Sequence, residues 1–185
     1  MTRKMKCFVM HRIGEVGMTE KPIPRAGPND AIIRTSAALI CTSDTHTVAG
    51  AIGDRHGLTL GHEAVGVIHE LGELAAASGL FRIGRHVAVG AITPCCTCDN
   101  CQHGYPSQCG GMLGGWKFAN VKDGSFAEYF HVNNAVANLA PIPRRSVVGL
   151  RTRHPLQFRQ QSLDLSLQVG ILYDARRTGV LCAHG

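Results

Sequence analysis

Four cysteines fall within fifteen residues in a C-x2-C-x2-C-x7-C pattern: Cys95, Cys98, Cys101 and Cys109. Four thiolates so close in sequence can bind one tetrahedral zinc ion, with Zn–S bonds of about 2.3 Å and no open position. A disulfide framework is the alternative, but the adjacent pair Cys95–Cys96 and the two-residue spacings suit it poorly. We expect a structural zinc lobe over residues 93–112, with the four sulfur atoms within about 4 Å of one another. We assign no role to Cys96.

A second set of metal-binding residue types lies upstream, where twenty residues separate Cys41 from His62. Catalytic zinc sites combine three protein ligands with one position left for water or substrate. Glu63 follows the histidine, and an acid there can orient the site or coordinate the metal itself. A single cysteine or histidine is more often a core or surface residue than a metal ligand. Whether these two residues bind metal must therefore be judged from the segments around them.

These segments resemble the zinc-dependent medium-chain alcohol dehydrogenases, whose catalytic domain has a catalytic zinc site followed by a four-cysteine zinc lobe of this spacing. The resemblance covers about residues 6–143. Three segments look most similar to the NADP-dependent secondary alcohol dehydrogenases of bacteria and anaerobic protists: CTSDTH at 41–46, GHEAVG at 61–66 and GMLGGWKF at 111–118. The resemblance implies a mainly β (α+β) fold, the GroES-like irregular barrel with a zinc lobe. It also implies oxidation of secondary alcohols to ketones with NADP or NAD.

The resemblance implies a role for each residue of the upstream set. Cys41 and His62 would bind the catalytic zinc, and Glu63 would orient the site or coordinate zinc transiently. Asp44 would hydrogen-bond the ligand histidine, a common way to fix the ring of a metal-bound imidazole. These roles make 41–44 and 61–63 the two segments that the fold must bring together.

Three further residues would handle the substrate and its proton. Zinc stabilises an alkoxide as a Lewis acid, and an alkoxide transfers hydride to a nicotinamide more readily than an alcohol does. By resemblance, Ser43 would contact the substrate oxygen and His46 would pass the released proton onward. Trp116 resembles the aromatic residue that lines the substrate pocket, although a lone tryptophan fits a core equally well.

The chain departs from the family after Pro143. The family's third catalytic ligand is an Asp or Glu just beyond this point, but residues 147–156 contain no acid. The nearest candidates are His154, which lacks the family's context, and Asp164, which lies too far along. The late glycines form no G-x-G-x-x-G turn, so we expect no Rossmann domain and no cofactor-binding residues in this chain.

The last forty residues differ in composition from the rest, with five arginines, no lysine and two acids over 146–185. A frameshift followed by an early stop would produce such a tail. A genuine replacement is the alternative, because 162–171 alternates like a strand. We therefore divide the chain into a catalytic domain over 1–145 and a non-family tail over 146–185. A non-catalytic zinc-binding fragment is the alternative to a dehydrogenase.

The composition of the chain limits the classes of molecule that it is expected to bind. The net charge is +6, but the basic residues are scattered, which indicates a solvated surface and no nucleic-acid partner. We find no apolar run of membrane-spanning length and no apolar signal-peptide core, and metal-bound thiols suit the cytoplasm. We expect a small alcohol as substrate and no membrane partner, with homo-oligomer formation left open for full-length relatives.

The elements that must position these residues are mostly strands. Apolar runs and alternation predict strands at 5–13, 31–36, 64–71, 85–89 and 124–132. Three prolines and a glycine predict a loop over 22–28. The Cys41 segment is expected to be a loop that leads into a short helix.

Overall fold

Two antiparallel sheets form the framework of the computed structural model, which describes residues 3–111, 114 and 117–143. In chain order, the described elements are β1 Lys4–Arg12, β2 Glu15–Pro22, β3 Ala31–Leu39, α1 Thr42–Val48, β4 Leu58–Thr59, β5 Glu63–Leu71, α2 Glu73–Ala77, β6 His86–Val89, α3 Asp99–Gln102, a 3-10 turn Pro106–Gln108, β7 Tyr129–Val132, α4 Ala135–Asn138 and β8 Leu139–Pro141. The strand orders are β2-β1-β4 and β7-β3-β5-β6-β8. The fold is mainly β, as predicted.

The segment before β7 connects the two sheets. Phe8 N–H donates to the carbonyl of Phe126 (2.8 Å), and Glu128 N–H donates to the carbonyl of Lys6 (3.0 Å). An isolated bridge pairs Cys7 with Ala127 between these two bonds. Residues 126–128 thus run along β1 before the chain enters the larger sheet, which partly closes the barrel.

The core lies between the sheets and is rich in β-branched and aromatic side chains. Its largest fully buried members include Phe118, Phe130, Met10, Ile33 and Ile68. The pairing of β3 with β5 shifts register twice, between Ile32 and Ile33 and between Thr35 and Ala37. Such bulges bend a strand and increase its twist, which lets a sheet curl around a core. Both bulges lie in β3, the strand that ends two residues before Cys41.

Most of the predicted strands are confirmed, with ends moved by one to three residues. The exception is 124–132, where only Tyr129–Val132 is a strand. Residues 126–128 instead pair with β1 at one isolated bridge, between Cys7 and Ala127. The sequence analysis missed β2, which has no fully buried side chain and so gives no clear apolar face, and the short strands β4 and β8. The predicted loop is confirmed from residue 23 onward, since Pro22 ends β2, and the helix after Cys41 is confirmed.

The described residues up to position 142 form one compact unit. Among the described residues, none of the helices has the length and apolar character that crossing a membrane requires. Trp116, the tail over 146–185 and the candidate ligands His154 and Asp164 lie outside the described residues.

Candidate metal centres

The first candidate centre begins at the junction of β3 and α1. Cys41 is the residue before the helix and has extended backbone angles (φ −91°, ψ 154°). The side chain of Asp44, three residues on, accepts the backbone N–H of Cys41 at 2.9 Å. This is one half of a capping box, in which an acid in the first turn satisfies a free N–H at the helix start. The turn therefore holds the Cys41 backbone in place.

His62 reaches the same place from the junction of β4 and β5. Gly61 before it has a left-handed φ of +89°, and a Cβ there would lie 2.2 Å from the ring of Phe126. Only glycine satisfies both requirements without displacing the ring. The tight turn at Gly61 directs the His62 side chain toward Cys41.

Asp44 fixes these two segments to each other. Its Oδ1 atom accepts the backbone N–H of Gly61 at 3.3 Å and lies 3.4 Å from Nδ1 of His62. The Asp44 residue is only 5 % exposed, so these contacts are largely shielded from water. The sequence analysis anticipated the contact with the histidine and missed both backbone contacts. The spacing of an acid three residues after the helix start was the available signal for one of them.

Ligand atoms of Cys41, His62 and Glu63 all lie within 4.8 Å of one another. A thiolate, an imidazole and a carboxylate are a donor set that zinc accepts. The exposed Ser43 side chain lies beside this cluster, with Oγ 3.2 Å from Nε2 of His62. His46 is exposed in the last turn of α1. The residues present therefore fit one zinc ion with an open side next to a hydroxyl group.

Neighbouring side chains shift the pKa values of both Cys41 and His62. The hydrogen bond with Asp44 raises the pKa of His62 to about 9, against the opposing effect of burial. Hydrogen bonding with Ser43 lowers the pKa of Cys41, and His62 contributes in the same direction. Near neutral pH the metal-free site therefore favours an imidazolium ion beside a thiol that ionises readily. A metal ion would have to displace the imidazolium proton.

The second candidate centre is the loop that contains the four closely spaced cysteines. The ligand sulfurs of Cys95, Cys98, Cys101 and Cys109 all lie within 4.8 Å of one another. Two shorter pairs are Cys98–Cys101 at 3.5 Å and Cys95–Cys101 at 4.0 Å. The one-turn helix α3 and the 3-10 turn bring Cys101 and Cys109 back toward the first two. All four remain thiols, without disulfide bonds.

Backbone N–H groups point at these sulfurs. The N–H of Cys98 donates to Sγ of Cys95 (3.3 Å), and the N–H of Gly110 donates to Sγ of Cys98 (3.4 Å). Cys109 Sγ accepts from the N–H groups of Cys95 (3.2 Å) and Gly111 (3.3 Å). N–H donors stabilise a thiolate relative to a thiol. The loop is thus built to hold negatively charged sulfur.

Not every thiol can ionise without a cation. Hydrogen bonding with Thr97 lowers the pKa of Cys95 to about 5, and hydrogen bonds from the backbone of Cys101 and Gly110 lower that of Cys98. Desolvation, followed by interaction with Cys98, raises the pKa of Cys101 to about 12. Four thiolates within one small loop repel one another, and a bound Zn²⁺ removes that penalty. The donor chemistry therefore fits a closed zinc site.

Cys96 remains outside the cluster. Its thiol is exposed and lies 3.8 Å from the carbonyl oxygen of Pro94, and its backbone has a left-handed φ of 59°. This conformation turns the side chain away while its neighbour Cys95 joins the cluster. The vicinal pair therefore contributes one sulfur only.

Comparison with known proteins agrees with this arrangement. Residues 27–144 match the family described as the alcohol dehydrogenase GroES-like domain. The chain belongs to this family. The match contains both candidate metal centres and all five strands of the larger sheet.

Members with established names are similar over the same region. The chain is 56 % identical over 141 residues to an NADP-dependent isopropanol dehydrogenase of Entamoeba histolytica, and 53 % identical over 141 residues to one of Thermoanaerobacter brockii. Each match covers 76 % of this chain but only 38 % and 39 % of the respective relative. The chain thus spans about two-fifths of the length of these curated relatives.

Solved structures give the same picture. A zinc dependent alcohol dehydrogenase 2 from Streptococcus pneumonia, in its apo form, superimposes with a TM-score of 0.67 at 30 % identity. It covers 76 % of this chain, which corresponds to 39 % of that protein. An alcohol dehydrogenase from Thermus sp. ATN1 superimposes with a TM-score of 0.66 at 32 % identity, covering 75 % of this chain and 40 % of that one. The barrel with its lobe is therefore the fold of zinc-dependent alcohol dehydrogenases.

Proposed function

We propose that this chain forms the zinc-binding catalytic part of an NAD(P)-dependent alcohol dehydrogenase that acts on small secondary alcohols. The observation that carries the proposal is the convergence of Cys41, His62 and Glu63 within 4.8 Å, beside the exposed Ser43. The isopropanol dehydrogenase names of the relatives support the substrate class and the preference for NADP.

Each residue then has a defined task. Cys41 and His62 would hold zinc, and Glu63 would serve as the third ligand available among the described residues. When bound, zinc supplies the Lewis acid that stabilises an alkoxide. Ser43 would hydrogen-bond the alcohol oxygen on the open side of the cluster. His46, exposed on the same helix, would pass the released proton to water.

The four-cysteine lobe would hold a second zinc ion with a structural role. Four sulfur ligands leave no coordination position for a substrate. The metal would instead fix a loop that has only one turn of α-helix and one 3-10 turn of its own, since binding free energy at such sites contributes to folding.

The proposed setting is the cytoplasm, where a reducing environment keeps the cysteines as thiols. No nucleic-acid or membrane partner is proposed, and homo-oligomers are proposed only for full-length relatives.

The second candidate function is a zinc-binding protein without turnover. The closed four-sulfur lobe favours it, because that centre can bind metal without any cofactor.

Cobalt(II) substitution tests the proposal, because cobalt–thiolate absorption reports on each centre. We expect one tightly bound and one weakly bound cobalt ion, with isopropanol changing only the spectrum of the weak site. Replacement of His62 by alanine should abolish the alcohol response, and the lobe variant Cys98→Ser should preserve it. A wild-type spectrum that isopropanol leaves unchanged would favour the non-catalytic function.

A further inference from the structure

The side chain of Asp123 joins three parts of the chain. Both of its carboxylate oxygens accept hydrogen bonds from Nζ of Lys21 on β2, at 2.7 and 2.8 Å. Its Oδ1 atom also accepts the backbone N–H of Thr59 on β4, at 2.9 Å. The same ammonium group donates to Oγ1 of Thr59 at 3.1 Å. The Lys21–Asp123 ion pair therefore connects β2, β4 and the segment that begins at residue 123.

The geometry of this ion pair differs from that of an ordinary surface pair. Lys4 and Glu20, on the neighbouring strands β1 and β2, approach to 3.7 Å with side chains that are 65 % and 59 % exposed. Such exposed pairs contribute little to stability. The side chains of Lys21 and Asp123 are only 23 % and 45 % exposed. Because the carboxylate accepts three hydrogen bonds, two of them from a charged donor, it is held in one position.

The strand that Asp123 holds leads directly to His62. The backbone N–H of Thr59 is bound by the Asp123 carboxylate. The carbonyl groups of residues 59–61 accept backbone N–H groups from the segment 124–126, at 2.8 to 2.9 Å. The residues before the histidine are thus attached on one strand edge to the segment that follows Asp123. The position of the His62 backbone depends on how this segment is held.

We propose that the Lys21–Asp123 ion pair is a positioning element for the Gly61 turn and, through that turn, for the metal-binding side chain of His62. The ion pair acts through the backbone, because it fixes the segment that binds the carbonyl groups of the turn. Asp44 holds the N–H of the same turn. The inference rests on the proposed function, since it assumes that His62 is a metal ligand, and it adds two residues that keep this ligand in place.

The first test compares cobalt(II) affinity at the two metal centres in Lys21→Met and Asp123→Asn variants of the full chain. The affinity of the cluster that contains His62 should fall by about 2–30-fold in each variant, the usual range for substitutions that affect a site without touching its ligand. The four-cysteine lobe should keep its affinity. Lys4→Met is the matched control, because it removes the exposed ion pair between β1 and β2, and it should change neither affinity.

Two further variants separate the ion pair from other effects of the substitutions. The double variant Lys21→Met/Asp123→Asn should weaken the cluster no more than either single change, because both changes remove the same interaction. Lys21→Arg keeps a cation that can bind both carboxylate oxygens, so it should retain most of the cobalt affinity. Additive losses in the double variant would contradict the proposal.

Hydrogen exchange provides a readout that requires no metal. The N–H of Gly61 donates to Asp44 at 3.3 Å, and it should exchange faster in both single variants, while the amides of β3 and β5 stay protected. Unchanged exchange at Gly61 together with unchanged cobalt affinity would overturn the proposal. Uniform acceleration across both sheets would also overturn it, because the ion pair would then stabilise the fold as a whole.

Failure of the proposed function would have a different signature. A wild-type cluster that bound no cobalt would contradict the metal-binding role of His62. Exchange at Gly61 would still show whether the Lys21–Asp123 ion pair positions the turn. Normal cobalt binding by wild type, with equal affinity in all the variants, would refute only the positioning role.

Discussion

The carboxylate of Asp44 lies 3.4 Å from Nδ1 of His62 and at the same time accepts the backbone N–H of Cys41. One side chain therefore links the two segments that supply the proposed catalytic ligands. These hydrogen bonds hold the two ligand-bearing segments in one arrangement, which lowers the ordering cost that a disordered set of ligands would meet on binding.

Asp44→Asn should weaken metal binding at the Cys41–His62–Glu63 cluster by about 10–100-fold, the usual effect of losing a partner that orients a ligand histidine. The amide cannot supply the negative charge that faces His62. Competition with a colorimetric chelator would measure the affinity. Because the four-cysteine lobe lies elsewhere, its metal should stay bound, and loss of both metals would contradict this prediction.

Metal binding at the same cluster should depend on pH. The pKa of His62 is raised to about 9, so below that pH the ring is protonated and a metal ion must displace the proton. Affinity should therefore rise with pH up to about 9 and fall steadily on acidification. Calorimetry in buffers of different ionisation enthalpy would count the released protons, and Asp44→Asn should release fewer at pH 7.5. An equal number from both proteins would argue against the imidazolium.

Cys101→Ser should remove one zinc ion and unfold residues 93–111 locally, since the metal stabilises a loop with little regular structure. Hydrogen exchange and metal analysis would detect both effects. Cys96→Ser is the matched control, because Cys96 lies in the same loop outside the cluster. It should leave metal content and exchange unchanged, and a loss of zinc from this control would mean that the ligand assignment is wrong.

Gly124→Ala should destabilise the fold and disturb the catalytic cluster together. A Cβ at this position would lie 2.1 Å from the carbonyl oxygen of Gly61, beside His62. Overpacking of this kind costs about 1–3 kcal/mol, and relief requires movement of the Gly61 turn. Urea unfolding and cobalt affinity would measure the two effects. Gly110→Ala, which would meet no atom within 4 Å, should affect neither.

The 185-residue chain, assayed by itself, is expected to bind about one zinc ion tightly and to show no NADP-dependent oxidation of isopropanol. It contains no G-x-G-x-x-G turn to hold the dinucleotide, and positioning of the hydride acceptor can contribute about 7–11 kcal/mol of barrier reduction. NADPH absorbance beside metal analysis would check both statements. Measurable turnover would show that the chain has a cofactor site of another kind.

The candidate metal ligands were easier to predict from the sequence than the contacts that hold them in position. Ligand spacing is local in the four-cysteine lobe, so Cys95 to Cys109 could be found by counting. Strands with strong apolar runs, such as β5, were equally accessible. The strand β2 could not be predicted in this way. Its side chains form no clear apolar face, and backbone hydrogen bonds with β1 define its position.

The supports of His62 depend on contacts between distant segments. The backbone N–H of Gly61 meets Asp44 across seventeen positions, and Phe126 packs where a side chain on Gly61 would stand. No periodicity in one segment reveals such contacts. The glycine at 61 could have been recognised as a turn, but the residue that excludes its Cβ could only be found in the folded chain.

The two clusters share no ligand, and this separation affects how the protein would respond to a shortage of zinc. Four sulfurs would retain their ion at concentrations too low to fill a site made of one sulfur, one nitrogen and one carboxylate. Under zinc shortage, most molecules would then hold metal in the four-cysteine lobe while the Cys41–His62–Glu63 cluster stayed empty. Resupplied metal would enter the second cluster without refolding of the lobe.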